Sequence, residues 1–294
     1  MSRPVLSGPT LPACPRCRRR LATDDGSLTC PSCDTAYERA DGVPVLLLTR
    51  EADQVTGRQQ ALYDHVAHDY DEVFRPHVSE HYLKKRTNTV RRLLPMGGTV
   101  LDVGCGTGAL AGWIQRAGYD VVGVDASTGM LVEALENGVG AVYAAYSTAL
   151  PFEDDVFDLS LSVATMHHLE TPERVAATIA EMGRVVRPGG YVLIWDHNPL
   201  NPYWPILMKR VPQDHGDERL VSVWELLDAV RTAGLQPVEA ARTGLVPDFM
   251  PAVLMPVWTR VEALVEATPF LSLFAAHNVV VAQKPHNVVV AQKR

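Results

Sequence analysis

No uninterrupted apolar stretch of this 294-residue chain approaches the roughly 18 residues a bilayer span needs. Nor does a basic segment followed by an apolar one open it, so neither a signal peptide nor a membrane span is expected, and the location expected is cytoplasmic. Positive charge is also short: 27 Lys and Arg stand against 34 Asp and Glu, a formal net charge of −7. Residues 1–50 hold seven Arg and five acids, about +2, which leaves about −9 on the remainder. An acidic body of this kind argues against a polyanionic partner, so nucleic acid is not the expected ligand. Cysteine is sparse as well, five in all, and a disulfide scaffold is excluded by their arrangement. With 47% apolar and 21% charged residues, the length suits one sizeable α/β domain and a smaller appendage.

Four of the cysteines, Cys14, Cys17, Cys30 and Cys33, form a C-x2-C…C-x2-C frame with twelve residues between the pairs. Each pair can curl on a tight turn so that two thiolates point at one tetrahedral Zn2+, and a gap of twelve suits a hairpin that carries the second pair back. The intervening LATDDGSLT has a turn signal at Asp25-Gly26, and AYERADGVPVLL adds a strand and a turn at Asp41-Gly42. Residues 12–48 therefore read as a zinc ribbon within a unit spanning 1–48. Such a metal can be structural, folding a module too small for its own core, or can hold a docking surface. Arg18 to Arg20 form one short basic run without interleaved aromatics, which favours the structural role.

Residues 49–96 are polar and charged at helical intervals and read as a helical cover segment. Within it ALYDHVAHDYDEVF repeats Tyr-Asp at seven-residue spacing, which puts Tyr63 and Tyr70 on nearly one helical face, either packing on a neighbour or lining a ligand.

TVLDVGCGTGALAGWIQRAG, residues 99–118, is a short apolar strand ending at Val103, a glycine-rich turn, and a helix with apolar residues at Leu110, Trp113, Ile114 and Ala117. Gly104 and Gly106 remove Cβ atoms where a ligand must touch backbone, and the helix start offers free N–H groups. VVGVD then ends in Asp125, where a ribose diol would be gripped. Gly104, Gly106 and Ala109 also satisfy the permissive dinucleotide pattern G-x-G-x-x-G/A. Asp102 speaks against that pattern, since a dinucleotide fold normally buries an apolar residue there.

With Asp102, Gly104, Gly106 and Gly108 in D-x-G-x-G-x-G, this stretch resembles motif I of the class I S-adenosylmethionine (SAM) dependent methyltransferases. ALPFEDDVFDLSLSVATMHHLETPE, from residue 149, is similar to that superfamily's motif III loop and fourth strand. RVVRPGGYVLIWDHNPLNP, from residue 184, is similar to its Pro-Gly-Gly turn and fifth strand. The resemblance implies a Rossmann-like α/β fold with a seven-stranded sheet over residues 97–284. It implies that Gly104 and Gly106 approach the methionine part of SAM, that Asp102 braces the loop or the amino group, that Asp125 binds the ribose hydroxyls, and that Cys105 and Ala126 belong to the cofactor-binding set. Met130 would flank the adenine and Ala164 would border the cofactor. Tyr63 and Tyr70 match the Y-D-x-x-A-x-x-Y-D helix that covers the cofactor in enzymes similar to the ubiquinone and menaquinone pathway methyltransferases. Where many relatives carry an Asp for the adenine amine, this chain has Ala145-Tyr146-Ser147, so Tyr146 or Ser147 is expected to fill that role.

Methyl transfer asks mainly for alignment, with a general base where the acceptor has a proton to lose. Candidate bases fall at the C-terminal ends of the fourth and fifth strands: His167, His168, Asp196 and His197. Adjacent His167 and His168 cannot both face one pocket, so one is expected to cap the turn before Thr171-Pro172. His197 reads as a base, an acceptor-binding residue or a turn stabiliser, and Asp196 as its orienting partner or a direct substrate contact. Neither pair has the spacing of a metal site. DHNPLNP and GLVPDFMPAVLMPVW resemble acceptor-side segments of small-molecule, glycan and lipid-pathway methyltransferases, and imply an acceptor lid at about 199–220 and 244–274. The expected reaction is methylation, at oxygen, of a small or amphipathic molecule of natural-product, lipid-linked or glycan-pathway type. The alternative is a ribosomal RNA guanine-N1 type enzyme that holds RNA with its ribbon. HNVVVAQK occurs twice, at residues 277–284 and 286–293. One copy suits the last antiparallel strand, and residues 285–294 read as a duplicated tail without function.

Overall fold

The computed structural model describes residues 11–24, 27–48, 54–73, 75–204 and 218–286. The turn at Asp25-Gly26, most of the first lid segment and the second tail copy thus lie outside the described residues.

The N-terminal unit is built from two copies of one turn. Arg18 N–H donates to the Cys14 carbonyl at 2.7 Å and Asp34 N–H to that of Cys30 at 3.0 Å, and the residue after each pair is left-handed, with φ 61° at Arg18 and 52° at Asp34. Between and after them run β1 (Ala22–Asp24), β2 (Ser27–Thr29) and β3 (Ala36–Tyr37), an antiparallel three-stranded sheet, then the small pair β4 (Arg39–Ala40) and β5 (Val43–Pro44). Leu21, Leu28, Tyr37 and Leu46 have too few neighbours within so small a unit and are buried instead in one continuous core with the main sheet.

Two helices follow, α1 (Gln54–Val66) and α2 (Pro76–Leu93), joined by a 3-10 stretch, Ala67–Val73. Tyr70 therefore lies on a 3-10 turn rather than on a single helix with Tyr63.

The main sheet has seven strands: β6 (Thr99–Val103), β7 (Asp120–Asp125), β8 (Ala141–Ala144), β9 (Phe157–Val163), β10 (Val186–His197), β11 (Gln236–Thr243) and β12 (His277–Gln283), in the order β11-β12-β10-β9-β6-β7-β8. The five strands β6 to β10 are parallel and β12 is antiparallel to both its neighbours. The parallel strands are apolar along their length because helices cover both faces: α3 (Ala109–Arg116), α4 (Thr128–Glu136), α5 (Pro172–Val185) and α6 (Val223–Thr232). Ser127, Thr171 and Ser222 cap α4, α5 and α6 by accepting from the backbone N–H three residues on. Thr171 thus closes the turn that His167 or His168 was expected to cap. The Pro188-Gly189-Gly190 segment, expected as a turn, lies inside β10, where a register shift between Val186 and Tyr191 absorbs it. Between β11 and β12 come α7 (Met255–Ala267) and α8 (Pro269–Ser272). The chain runs β6, β7, β8 to one side and returns to β9 on the other, so a crevice opens beyond the C-terminal ends of β6 and β9.

Candidate functional site

That crevice holds a cavity lined by Tyr63, Tyr70, Gly104, Gly106, Asp125, Ala126, Met130, Tyr146, Ser147, Ala164, Thr165 and His168, with Gln60 and Arg174 at its border. The glycine loop is braced before any ligand arrives. Gly104 and Cys105 N–H both donate to the Val124 carbonyl, and Gly106 N–H donates to Asp125 Oδ2 at 2.9 Å. Gly104 has φ 75°, and a Cβ there would stand 2.3 Å from Thr165 Oγ1, so only glycine is accommodated. At Gly106, φ 53°, a Cβ would meet nothing within 4 Å and would point into open space above the loop. Asp125 Oδ1 accepts from Ser127 N–H at 2.9 Å, leaving each carboxylate oxygen with further lone pairs for a diol. Ala164 is left-handed, φ 53°, a strained conformation for a residue with a Cβ, and it sits in the cavity wall.

The Tyr-Asp repeat has a division of labour that only the structure reveals. Tyr63 and Tyr70 meet edge to face at 6.1 Å and line the cavity. The aspartates that follow them pin the cover to two other parts. Asp64 Oδ1 accepts from Ser127 Oγ at 2.6 Å and from Gly129 N–H at 2.9 Å, at the start of α4, while Asp71 accepts from Thr107 Oγ1 at 3.0 Å, just before α3. Gly129 is required here, because a Cβ would lie 2.9 Å from the Asp64 Cα.

Two residues expected against the cofactor do not reach the cavity wall. The Cys105 side chain turns beneath the loop toward Gly123, where burial pushes its thiol well up. Asp102 is 2% exposed on β6, and its Oδ1 has no hydrogen-bond partner among the described residues. Burial first, then Asp125, push its pKa up to about 7, against a lowering by Arg86. At the adenine edge Ser147 Oγ shares a hydrogen bond with Thr178 Oγ1 at 2.9 Å, and Tyr146 is buried in the wall.

The four candidate bases divide. His168 lines the cavity, with its Nε2 3.0 Å from the Tyr63 hydroxyl, and burial together with His167 pushes its pKa well below that of a free histidine. His167, Asp196 and His197 lie behind it. Asp196 accepts from His167 Nδ1 at 2.8 Å and from the backbone N–H groups of Met166, His167 and His197. Asp196 thus orients His167, where sequence reasoning had placed it with His197 or on the substrate. His197 stacks between the rings of His167, at 4.3 Å, and Trp204, at 3.7 Å.

The thiols of Cys14, Cys17, Cys30 and Cys33 converge, all within 4.8 Å of one another, with Cys14–Cys33 at 3.7 Å, Cys17–Cys30 at 3.3 Å and Cys17–Cys33 at 3.9 Å. A tetrahedron with Zn–S of about 2.3 Å has edges of about 3.8 Å, so the donor set fits that ion. The Tyr37 hydroxyl lies 2.9 Å from Cys14 Sγ, where it can donate to a thiolate. This unit sits at the β8 edge: Leu46 N–H donates to the Ala144 carbonyl and Ala13 N–H to that of Pro151. Arg18 pairs with Glu181 of α5 at 3.2 Å and Arg20 with Glu153 at 2.9 Å.

The family described as "Methyltransferase domain" matches residues 101–194, from the cavity's glycine strand through the bulk of β10. A demethylmenaquinone methyltransferase of Mycobacterium tuberculosis is 32% identical over 161 residues, 52% of this chain and 67% of that protein. The chain belongs to the SAM-dependent methyltransferases. A tRNA (carboxymethyluridine(34)-5-O)-methyltransferase of Arabidopsis thaliana is 34% identical to this methyltransferase over 127 residues, 41% of this chain, and the match spans only 31% of that relative's length. Among solved structures, a SAM-dependent methyltransferase of Thermotoga maritima, described as a possible histamine N-methyltransferase, superposes with a TM-score of 0.59 at 22% identity, covering 77% of this chain and 99% of the other. The [4+2]-cyclase SpnF follows at 0.55 and 19%, covering 80% and 98%, a likeness of fold alone. Among the described residues no helix of the methyltransferase is long and apolar enough to cross a membrane.

Sequence reasoning missed Asp64, Asp71 and Thr165. The aspartates had a visible signal in the repeat itself. Thr165 had none, because its role arises from a close approach between distant segments.

Proposed function

We propose that this methyltransferase acts on a small or amphipathic acceptor, at oxygen, with Tyr63, Tyr70, Gly104, Gly106, Asp125, Ala126, Met130, Tyr146 and Ala164 holding the cofactor and His168 receiving the acceptor's proton. Bound SAM supplies a sulfonium methyl open to attack by a lone pair. The observation that carries the reading is the Tyr63–His168 hydrogen bond in the cavity wall. A histidine kept neutral by burial has one basic ring nitrogen at pH 7, which is Nδ1 where Nε2–H donates to the Tyr63 hydroxyl oxygen, and its lowered basicity suits a hydroxyl that is itself acidic, such as a phenol or enol. His167 and Asp196 then position His168 rather than touch substrate, the ring centroids of His167 and His168 being 4.0 Å apart.

A second reading, an RNA acceptor, is favoured by the Arabidopsis relative's named activity. Against it, two of the ribbon's arginines are engaged by acids of the body, and the ribbon lies at the β8 edge while His168 follows β9. We further propose that the four cysteines hold a structural Zn2+ and that the ribbon seals the β8 edge.

The test is methyl transfer from labelled SAM to a panel of phenolic and enolic acceptors, with tRNA and ribosomal RNA in parallel. Turnover with a phenol that falls about 10²- to 10⁴-fold in H168A, while S-adenosylhomocysteine (SAH) binding holds, supports the reading. Turnover on RNA alone, with steeply salt-dependent binding, replaces it by the second.

A further inference from the structure

Helix α2 buries Val78, Tyr82 and Val90. Arg86 falls on the same stripe, four residues after Tyr82 and four before Val90, where a core helix would carry another apolar side chain. Its guanidinium lies over the ring of Tyr82 at 5.6 Å and over that of Trp195 at 5.7 Å. Burial pushes its pKa down to about 10, so it remains a cation at neutral pH. Asp102 and Asp196 are near enough to act on it through space, yet neither forms an ion pair with it, and its buried Nε has no hydrogen-bond partner among the described residues.

Around this cation stand further polar groups without partners. Trp195, 2% exposed, has an unpartnered Nε1, and His277, 5% exposed, an unpartnered Nδ1. His277 shares both of Arg86's aromatic neighbours, its ring lying 5.3 Å from that of Tyr82 and 6.2 Å from that of Trp195. His197, whose Nδ1 is also unpartnered, lies 5.7 Å from His277. Arginine and tryptophan offer only donors, and a neutral histidine offers one N–H. Buried donors left unmade are costly, and a half-buried cation that pairs with no described carboxylate adds to that cost. Arg86 Nε and Trp195 Nε1 can only donate, and the imidazole nitrogens of His277 and His197 donate in one tautomer, so a ligand rich in acceptor oxygens and negative in charge matches the set.

We infer that Arg86, Trp195 and His277 form a seat for an anionic group, a carboxylate or phosphate, carried by the methyl acceptor. The inference rests on the methyltransferase reading above and deepens it by naming the acceptor's charge. Its place favours the acceptor over the cofactor. The cofactor cavity is walled by the ends of β6, β7, β8 and β9 and by Tyr63 and Tyr70 of the cover, whereas the donors of this seat come from α2, β10 and β12, with Tyr70 near enough to act on Arg86 from the cavity side. The lid helix α7 closes the same side, with Trp258 Nε1 donating to the Leu245 carbonyl and Glu262 bound to both His81 and Lys85 of α2. Glu262 is thereby occupied and is not the missing counter-ion.

The test uses the full chain saturated with SAH, titrated by calorimetry with benzoate, with benzamide as its neutral counterpart, and with inorganic phosphate. Benzoate is expected to bind about tenfold or more tighter than benzamide and to be displaced by phosphate. R86M should weaken benzoate roughly 10- to 100-fold while SAH affinity stays within about twofold. R86K should recover part of the loss, and W195F, which keeps an aromatic ring and removes one donor, should weaken benzoate with SAH binding unchanged. W195F and R86K serve also if R86M does not fold. Equal binding of benzoate and benzamide, or no binding of benzoate or phosphate to the SAH-loaded protein, overturns the seat. A loss of SAH affinity in R86M with benzoate unaffected assigns the guanidinium to the cofactor's carboxylate instead. Selective binding of benzoate over benzamide by a wild-type chain that does not bind SAH would strike the methyl-transfer reading and with it the assignment of the anion to a methyl acceptor, whereas SAH binding without benzoate binding strikes the seat alone.

Discussion

Asp196 Oδ1 stands 2.8 Å from His167 Nδ1, and the side chains are only 1% and 4% exposed. Burial alone would raise the Asp196 pKa, but the charge and hydrogen bond of His167, with help from His197, hold the carboxyl well below the usual range. A carboxylate that also gathers three backbone N–H groups is the post on which the loop after β9 is hung. D196A is expected to destabilise the protein by about 3–5 kcal/mol, because it leaves those donors buried and unmet. The lowered folded-state pKa means that this stabilisation is present above the unfolded value near 4 and is lost as pH falls below it. Urea denaturation at pH 7 and at pH 3 checks both statements, with the difference between wild type and D196A shrinking at the lower pH.

Asp102 carries the opposite sign. Its folded pKa is raised to about 7, so its contribution to stability is fully present below the unfolded pKa and is lost as pH rises through 7. Without cofactor, wild-type stability should fall between pH 4 and 8 by an amount on the order of a few kcal/mol from this group. D102N should remove that slope, and an unchanged slope in thermal melts across the range would contradict the assignment.

In the cover segment Asp64 ties α1 to the start of α4, and Asp71 ties the 3-10 stretch to Thr107. D64A removes both bonds to the start of α4 and is expected to weaken SAH binding about 2- to 30-fold, the equivalent of a lost helix cap of roughly 0.5–2 kcal/mol. D71A should act similarly through Thr107. Calorimetric titration with SAH measures each.

If the four cysteines hold zinc, metal analysis should find one ion per chain and C30S should lose it. Because Leu21, Leu28, Tyr37 and Leu46 share the core of the main sheet, removing the metal with a chelator should lower the melting temperature of the whole protein by several degrees. A separate transition of the ribbon, leaving the body's melt unmoved, would show the two to be independent.

With His168 kept neutral by its surroundings, kcat on a phenolic acceptor should show no break near pH 6.5. A break there, absent in H168A, would mean that the histidine titrates as in water and that its burial is not maintained in the working enzyme.

Much of the fold was legible in the chain itself. The glycine loop between an apolar strand and a helix, with an acid at the end of the next strand, fixes a local geometry through left-handed φ angles that Gly104, Gly106 and Gly108 adopt without strain. The paired C-x2-C turns are equally local, and their spacing alone predicted four converging thiols. The seven-residue Tyr-Asp repeat put both tyrosines at the cavity even though 3-10 turns replaced the second half of the expected helix.

What the sequence could not express were contacts between segments far apart along it. That Asp196 holds His167 and not His197, that Cys105 turns under its loop while Gly106 faces the cleft, and that Arg18 and Arg20 meet Glu181 and Glu153 all depend on which strands became neighbours. Sheet order is decided by the packing of two whole faces, and no single stretch carries it. Arg86 is the sharpest instance. In the sequence it is one more cation on a polar helix, and only the fold, by laying that helix over Trp195 and His277, turns it into a half-buried charge with no ion-pair partner among the described residues.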